Sequence, residues 1–359
     1  MAEKSKVYFI QVEEKEDPSR TAKKLKYLYD RCGAKGFFAK NDFVAVKTHF
    51  GDTDNTTYIN PVLVKSVINK LKSEGAAVFL TETSTLYRGK RANAIDHITL
   101  AYEHGFGFDS MKVPLVMADG LLGDAEVPVE INGRHFKRVN VAMEAAKIQG
   151  VMALSHFKGH VATGFGGALK NIGMGLCSRK GKLQQHSVMS PEINRSKCTG
   201  CEMCIIWCPQ DTIFLKEGKA QINKANCIGC GECLAVCQFG AVKFDFKRES
   251  RELQEMMAEH AAGVIKAVKG KVFYFNFLLN ITIDCDCMNG GRLISPDIGI
   301  VAGKDIVAVE RASYDLFKRK NGESFEKASR PNLNSLVQVE HAQAIGLGSA
   351  EYQLEEISW

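Results

Sequence analysis

The 359-residue chain has no apolar run long enough to span a bilayer. Its longest, residues 272–283, is interrupted by Asn276 and Asn280 and falls short of the ~20 residues a transmembrane helix needs. No secretory leader is visible: the first six residues are polar, and the apolar stretch 7–12 is too short for a signal-peptide core. A membrane partner is therefore not expected, and a cytoplasmic location is. Charge of one sign is also scarce, with a formal net charge of only +6. Basic runs such as Lys318-Arg319-Lys320 read as solvated surface, and no basic–aromatic interleaving argues for nucleic acid. Nucleotide signatures are missing as well. The glycine-rich stretch at 164–173 has no Gly-Lys-Ser/Thr, and Leu169 stands where a dinucleotide fingerprint has its third glycine.

What the chain has is cysteine in one stretch. Cys198, Cys201, Cys204 and Cys208 follow C-x2-C-x2-C-x3-C, and Cys227, Cys230, Cys233 and Cys237 repeat each position 29 residues on. This is the bacterial two-cluster run, in which the fourth cysteine of each half ligates the other half's cluster. Cys198, Cys201, Cys204 and Cys237 are assigned to one [4Fe–4S] cluster, and Cys227, Cys230, Cys233 and Cys208 to the second. Structural zinc needs only four ligands and has no use for two interleaved sets. Gly200 and Gly229 would let backbone N–H groups approach the sulfurs. Of the 12 cysteines, Cys32, Cys177, Cys285 and Cys287 remain. Reduced cysteines and oxygen-sensitive clusters suit the cytoplasm of an anaerobically competent cell.

Around this stretch the pattern alternates strands and helices. Strands are predicted at 6–12, 42–49, 76–81, 113–117 and 150–155, with helices at 21–32, 61–75 and 92–103. Asn132-Gly133 predicts a hairpin of 127–131 with 135–139, and 141–148 reads as helical. A helix over 166–177 and a basic loop through Lys180-Gly181-Lys182 precede the cysteines. A long helix capped by Ser250 follows them. Strands are then predicted at 271–284, 297–301, 305–309 and 352–357, with helices at 308–318 and 336–346. The α/β pattern thus resumes, which predicts a mostly parallel sheet with helices on both faces. The expected organisation is an α/β host in two parts, 1–191 and 248–359, with a two-cluster ferredoxin-like α+β insert at 192–247.

Ligands of open α/β sheets bind beyond the carboxyl ends of the strands. Here those ends carry Lys47-Thr48-His49, Glu82-Thr83-Ser84 and Ser155-His156-Phe157-Lys158-Gly159-His160. Together they predict a pocket in which Lys47, His49, His156, Lys158 and His160 are catalytic candidates, His156 or His160 as acid/base. His156 and His160 lack the glutamate of the zinc-protease motif. The turn entering the next helix, with Gly166, Gly167, Lys170 and Asn171, would suit a phosphate or carboxylate, with Lys158 and Lys170 as counter-charges. Asp284-Cys285-Asp286-Cys287 is a second cysteine feature. In extended backbone both sulfurs would face one side, able to share a metal completed by His156, His160, His186 or Cys177. Buried free thiols or a redox-active disulfide are the other readings. Cys32 reads as core.

The combination of Lys47-Thr-His49-Phe-Gly, Glu82-Thr83-Ser84, Ser155-His-Phe-Lys-Gly-His160, Gly166-Gly-Ala-Leu-Lys-Asn-Ile-Gly173 and Asp284-Cys-Asp-Cys287 resembles the iron–sulfur members of the domain of unknown function 362 family. The resemblance covers nearly the whole chain and implies the fold and two clusters, but no substrate. The ferredoxin-like segment departs from the usual pattern at Gln238, where proline is common. The expected function is a ferredoxin-type oxidoreductase whose clusters pass low-potential electrons to a substrate or metal centre at the sheet edge. A cluster or metal assembly factor using Cys285 and Cys287 is the alternative, as is an electron-transfer subunit of a larger complex. Expected partners are a redox protein or a small-molecule acceptor, with a homo-oligomer left open.

Overall fold

The computed structural model describes residues 4–87, 89–186, 191–208, 210–227, 232–243, 250–287 and 290–359. The chain opens with β1 (Ser5–Gln11), α1 (Pro18–Arg31), β2 (Phe43–Lys47), α2 (Pro61–Ser73) and β3 (Ala77–Glu82). α3 (Ala94–Glu103), α4 (Phe108–Met111) and β4 (Leu115–Met117) follow. α1 and α2 start by the same grammar. The Asp17 carboxylate accepts from the Ser19 N–H, and the Asn60 side-chain oxygen from the Val62 N–H, each at 2.9 Å, with proline next in chain. The side-chain oxygen takes one orphan donor, and proline brings a helical φ to a place needing no N–H.

The middle holds β5 (Glu126–Glu130), β6 (Arg138–Ala142), β7 (Gly150–His156), β8 (Lys158–His160), β9 (Gly164–Gly166), α5 (Ala168–Gly173) and α6 (Arg179–His186). The cysteine-rich stretch carries β10 (Glu192–Ile193), α7 (Met203–Ile206), β11 (Ile213–Lys216), β12 (Lys219–Ile222), α8 (Glu232–Val236) and β13 (Val242–Lys243). Then come α9 (Ser250–Ala267), β14 (Val272–Leu278), β15 (Gly299–Gly303), α10 (Ile306–Asn321), α11 (Phe325–Ser329), α12 (Val337–Ala344) and β16 (Tyr352–Glu356).

Eight strands form the central sheet in the order β16-β1-β15-β14-β7-β2-β3-β4. Only β15 runs against its neighbours, so the sheet is mostly parallel, as the alternating pattern predicts. β14 pairs with β7, although the cysteine-rich stretch lies between them in sequence. One sheet is therefore built from both sides of that stretch. Its central strands β7, β14 and β15 are buried along their whole length, the usual state of a parallel sheet covered by helices. Val44, Val46, Phe273, Phe275 and Phe277 pack on the α1–α2 side, while Ala45, Val151, Ala153 and Tyr274 pack on the α5–α9–α10 side. Burying each of those phenylalanines contributes about 2–3 kcal/mol. A separate small core joins Cys198, Cys204, Ile213, Ala220, Cys233, Val236, Ala241 and Val242.

The structure differs from the sequence reading in several places, each with a local cause. The hairpin forms, but β5 and β6 are joined by residues 131–137, not by a two-residue turn. There the buried Glu259 carboxylate accepts the N–H groups of Arg134, His135 and Phe136. β6 runs on to Ala142, and only a 3-10 turn at Met143–Ala146 stands where a helix was expected. The basic 180–182 segment is helical, inside α6. α5 is shorter than expected and ends at Gly173, where it crosses α9 at contact distance: a Cβ on Gly173 would lie 2.2 Å from the Met257 carbonyl oxygen. Residues 305–309 are not a strand. Asp305 caps α10, its carboxylate accepting from the Val307 and Ala308 N–H groups at 2.9 and 3.1 Å. β14 ends at Leu278, so Asp284–Cys287 lies in a turn and not in extended backbone.

Candidate functional site

At the carboxyl edge of the sheet the ends of β2, β3 and β7 open onto a cavity of about 430 Å³. Every catalytic and cofactor candidate outside the cluster run lines it: Lys47, His49, His156, Lys158, His160, Gly166, Gly167, Lys170 and Asn171. Cys285 and Cys287 line it too. Lys47, the last residue of β2, sends Nζ 2.6 Å from the Glu82 Oε1 at the end of β3 and donates to the Asn171 Oδ1 at 2.8 Å. Asn171 in turn donates from Nδ2 to the Leu154 carbonyl and Ser155 Oγ, tying α5 to β7. Arg91 reaches Glu82 from the other side, its Nη2 3.5 Å from Oε2. Burial pulls Lys47 down to about 8, outweighing the attraction of Glu82. Burial opposes ionisation of Glu82, but Lys47, His49 and Arg91 overcome it and hold the carboxyl at about 2. The network is therefore charged at neutral pH.

The three histidines do different things. The His49 Nδ1 accepts the Gly51 N–H at 2.9 Å, which leaves the ring proton on Nε2, 3.5 Å from the Cys287 Sγ. His160 accepts the Thr163 N–H on Nδ1 at 3.1 Å, and burial holds its pKa well below the usual range. His156 has no nitrogen free for a substrate. Its Nδ1 meets the Asp286 carboxylate at 2.9 Å and its Nε2 the Leu279 carbonyl at 2.9 Å. Lys158 is likewise engaged, with Nζ 2.9 Å from Asp286 Oδ2. His156 and Lys158 thus act as clamps on Asp286, and of the two acid/base candidates only His160 remains.

The start of α5 does not stand open to an external anion. Glu310, fully buried on α10, accepts the Leu169 N–H at 2.9 Å, and a Cβ on Gly167 would strike its Oε1. Burial lifts Glu310 to about 7. A raised carboxyl pKa costs stability as pH rises from the ordinary 4.5 towards 7, and the full cost stands above that. Glu310→Gln is therefore expected to stabilise the protein by up to about 3 kcal/mol at pH 8, with the gain vanishing near pH 4.5. Urea midpoints at the two pH values check it, and a gain independent of pH would refute it.

Sequence reasoning missed Arg91, Tyr87 and Asp119, which come from loops beyond the motif segments, and Lys182, which comes from α6. Lys182 donates to Thr83 Oγ1 at 2.6 Å and to the Cys177 carbonyl at 2.8 Å. Burial raises Asp119 to about 6, and it accepts the Ser84 N–H at 2.8 Å. Cys177 donates to the Gly173 carbonyl in the core, away from the cysteine pair. Cys32 is core, as expected. Among the described residues five cations (Lys47, Arg91, Lys158, Lys170 and Lys182) line the cavity against one lining carboxylate, Glu82, with Lys158 also paired to Asp286 behind the wall.

In the cysteine-rich stretch Cys198, Cys201, Cys204 and Cys237 ring a small cavity of about 20 Å³. Backbone N–H groups point at sulfurs: Ala220 to Cys198 at 3.4 Å, Ala241 to Cys237 at 3.3 Å, and Thr212 to Cys208 at 3.4 Å. Gly200 has φ +75°, the left-handed turn the wrap needs. Cys227 is half-buried and Cys233 buried, while Cys230 and Gly229 lie outside the described residues. Arg179 joins the two regions, its Nη2 donating to the carbonyls of Leu86 in the cavity wall (3.4 Å) and Leu234 in α8 (3.5 Å). Among the described residues no three His, Cys, Asp or Glu side chains are disposed to hold a single metal ion, and no helix could cross a membrane.

No curated protein matches the chain. Among solved structures, a Thermotoga maritima protein determined by a structural-genomics consortium is similar at 11% identity and TM-score 0.46. That match spans 85% of this chain and 59% of its own. The lactate racemase apoprotein of Thermoanaerobacterium thermosaccharolyticum is similar at 12% identity and TM-score 0.40, over 76% of this chain and 50% of its own. The chain thus spans less than two thirds of either. A family profile described as a domain of unknown function (DUF362) matches residues 44–315, from β2 into α10 and across the cysteine-rich stretch. The chain belongs to that family.

Proposed function

We propose that the protein is an iron–sulfur oxidoreductase that delivers electrons to a small organic anion in the cation-lined cavity. Residues 192–247 are the ferredoxin-like insert, with one [4Fe–4S] cluster on Cys198, Cys201, Cys204 and Cys237 and the other on Cys227, Cys230, Cys233 and Cys208. The observation that carries this reading is the void ringed by the four cysteines that the interleaved spacing assigns to one cluster. A cubane takes one thiolate on each iron, and N–H groups aimed at the sulfurs stabilise its charge. Bound there, the clusters supply single low-potential electrons. The rest falls to the cavity. Its cations hold the acceptor's anionic group, its apolar wall at Leu86, Leu154 and Met174 limits water, and His160 is placed to exchange a proton. The excess of positive charge favours an anion here over a second metal ion. Arg179 keeps α8, with Cys233, against that wall.

The test is anaerobic reconstitution, reduction, and a screen of small carboxylate and phosphate acceptors by cluster reoxidation. His160→Ala and Lys170→Met are expected to slow reoxidation by on the order of 10²-fold, at unchanged iron content. If both variants match the wild type for every acceptor, the cavity is not the acceptor site.

A further inference from the structure

We propose that Cys285 and Cys287 form a dithiol–disulfide centre in the cavity wall that reduces small disulfides carrying carboxylates. It depends on the proposed function only for its supply of electrons.

The turn between the two cysteines is built to present them. Asp286 is fully buried, its carboxylate turned into the protein. It is held by the His156 Nδ1 at 2.9 Å, the Lys158 Nζ at 2.9 Å and the Thr57 Oγ1 at 3.2 Å. Its carbonyl takes the Asp52 N–H at 3.0 Å. With the middle residue pinned inward, both flanking side chains reach the cavity. Two residues apart on this turn, the two thiols line the same cavity and bear on each other's ionisation. The Nε2 of His49 lies 3.5 Å from the Cys287 Sγ, with its proton on that side.

The two sulfurs are also unequal. The neighbouring Cys285 thiol, aided by Lys170, Arg91 and His49, holds Cys287 well below the usual thiol range. Its partner Cys285 is pushed well above it. A thiolate beside a protonated thiol supplies a nucleophile and a resolving group, the division that thiol–disulfide exchange requires. The cationic lining selects the substrate, because it attracts carboxylates and repels other cations.

The Cys287 thiolate attacks one sulfur of the substrate disulfide. The substrate S–S bond breaks, a mixed disulfide forms, and one substrate thiolate leaves carrying the electron pair. Cys285 passes its proton to that thiolate. Its own sulfur then attacks the Cys287 sulfur and releases the second half of the substrate as a thiolate. The substrate has gained two electrons, and the cysteines are joined as a disulfide. Two single electrons from the reduced clusters and one proton from solvent restore the Cys285 thiol and the Cys287 thiolate.

Cystine is the probe, added anaerobically to reconstituted holoprotein and followed by differential alkylation with peptide mass spectrometry. In the wild type a Cys285–Cys287 disulfide is expected, with both halves of cystine released. Cys285→Ser is expected to stop as a mixed disulfide on Cys287, and Cys287→Ser to release nothing. Iodoacetamide is expected to label Cys287 on the order of tenfold faster than Cys285. Cystamine, which keeps the amines of cystine but lacks its carboxylates, is expected to react more slowly than cystine. Equal release by wild type and Cys287→Ser overturns the proposal, and equal rates for cystine and cystamine overturn its substrate class. Exchange without recovery of thiols after photoreduction overturns the electron supply assigned to the clusters and leaves the exchange centre standing.

Discussion

Replacing Glu82 by glutamine is expected to destabilise the protein by about 3–5 kcal/mol at pH 7, the cost of leaving a buried charge without its partner. Two cations depend on this one carboxylate. The Lys47 side chain is 1% exposed and the Arg91 side chain 4%, so neither can turn to solvent. Asn171 gives Lys47 only a neutral acceptor, and Asp52 is 3.5 Å from Arg91 at a partly exposed position. The pH dependence has a fixed sign. Glu82 lies at about 2 in the fold against an ordinary 4.5, so its contribution is complete above pH 4.5 and drains away as pH falls towards 2. The penalty of Glu82→Gln should therefore shrink between pH 4.5 and pH 3. Lys47→Met alone is expected to cost less, because Arg91 still partners Glu82. In the double variant Lys47→Met restores part of what Glu82→Gln loses, because one orphaned charge is gone. Urea unfolding followed by circular dichroism measures all three. A Glu82→Gln cost below about 1 kcal/mol would mean that solvent already screens the pair.

The parts of this architecture legible in sequence are those where one local rule acts alone. Asp17-Pro18 and Asn60-Pro61 announce α1 and α2 because cap and proline agree. The strand ends at Lys47, Glu82 and His156 announce the cavity because polar residues that follow buried strands have only the sheet edge to occupy. Where two rules compete, the reading fails. Ile306-Val-Ala-Val309 looks like a strand by its β-branched residues, yet the Asp305 cap makes it the first turn of α10. Cys285 and Cys287 do face the same side, but through a pinned turn and not through strand alternation. The charges that complete the cavity were hidden for another reason. Arg91 and Lys182 look like surface charges in sequence, since no local pattern records that Glu82 and Thr83 wait for them across the fold. The glycine-rich turn gave the opposite error. It is built to receive an anion, but the anion is Glu310 of the same chain.

Cys237→Ser is expected to disturb the cluster of the first cysteine half and spare that of its own half. The ring around the small cavity takes Cys198, Cys201 and Cys204 from one repeat and Cys237 from the other. The two repeats meet through α7 and α8, which pack against each other and bring Cys237 across. Iron is expected to fall by about half, from the roughly eight atoms of two cubanes. The discriminating measurement is a pair of double variants, read by iron content and by electron paramagnetic resonance of the reduced protein. Residues that serve one cluster cannot damage it twice, so Cys201→Ser/Cys237→Ser should look like either single variant. Cys233→Ser/Cys237→Ser should strike both clusters and remove nearly all the iron. If each half instead held its own cluster, the outcomes would exchange. Cys233→Ser/Cys237→Ser would then be no worse than one change, and Cys201→Ser/Cys237→Ser would empty the protein. The consequence for electron flow is direct. Under the proposed crossed ligation, the cluster that includes Cys233 is expected to be the nearer to the cavity, because Leu234 beside that cysteine is tied through Arg179 to the cavity wall at Leu86. Cys208→Ser should therefore slow electron delivery to the acceptor more than Cys237→Ser does, even when the two variants lose equal amounts of iron.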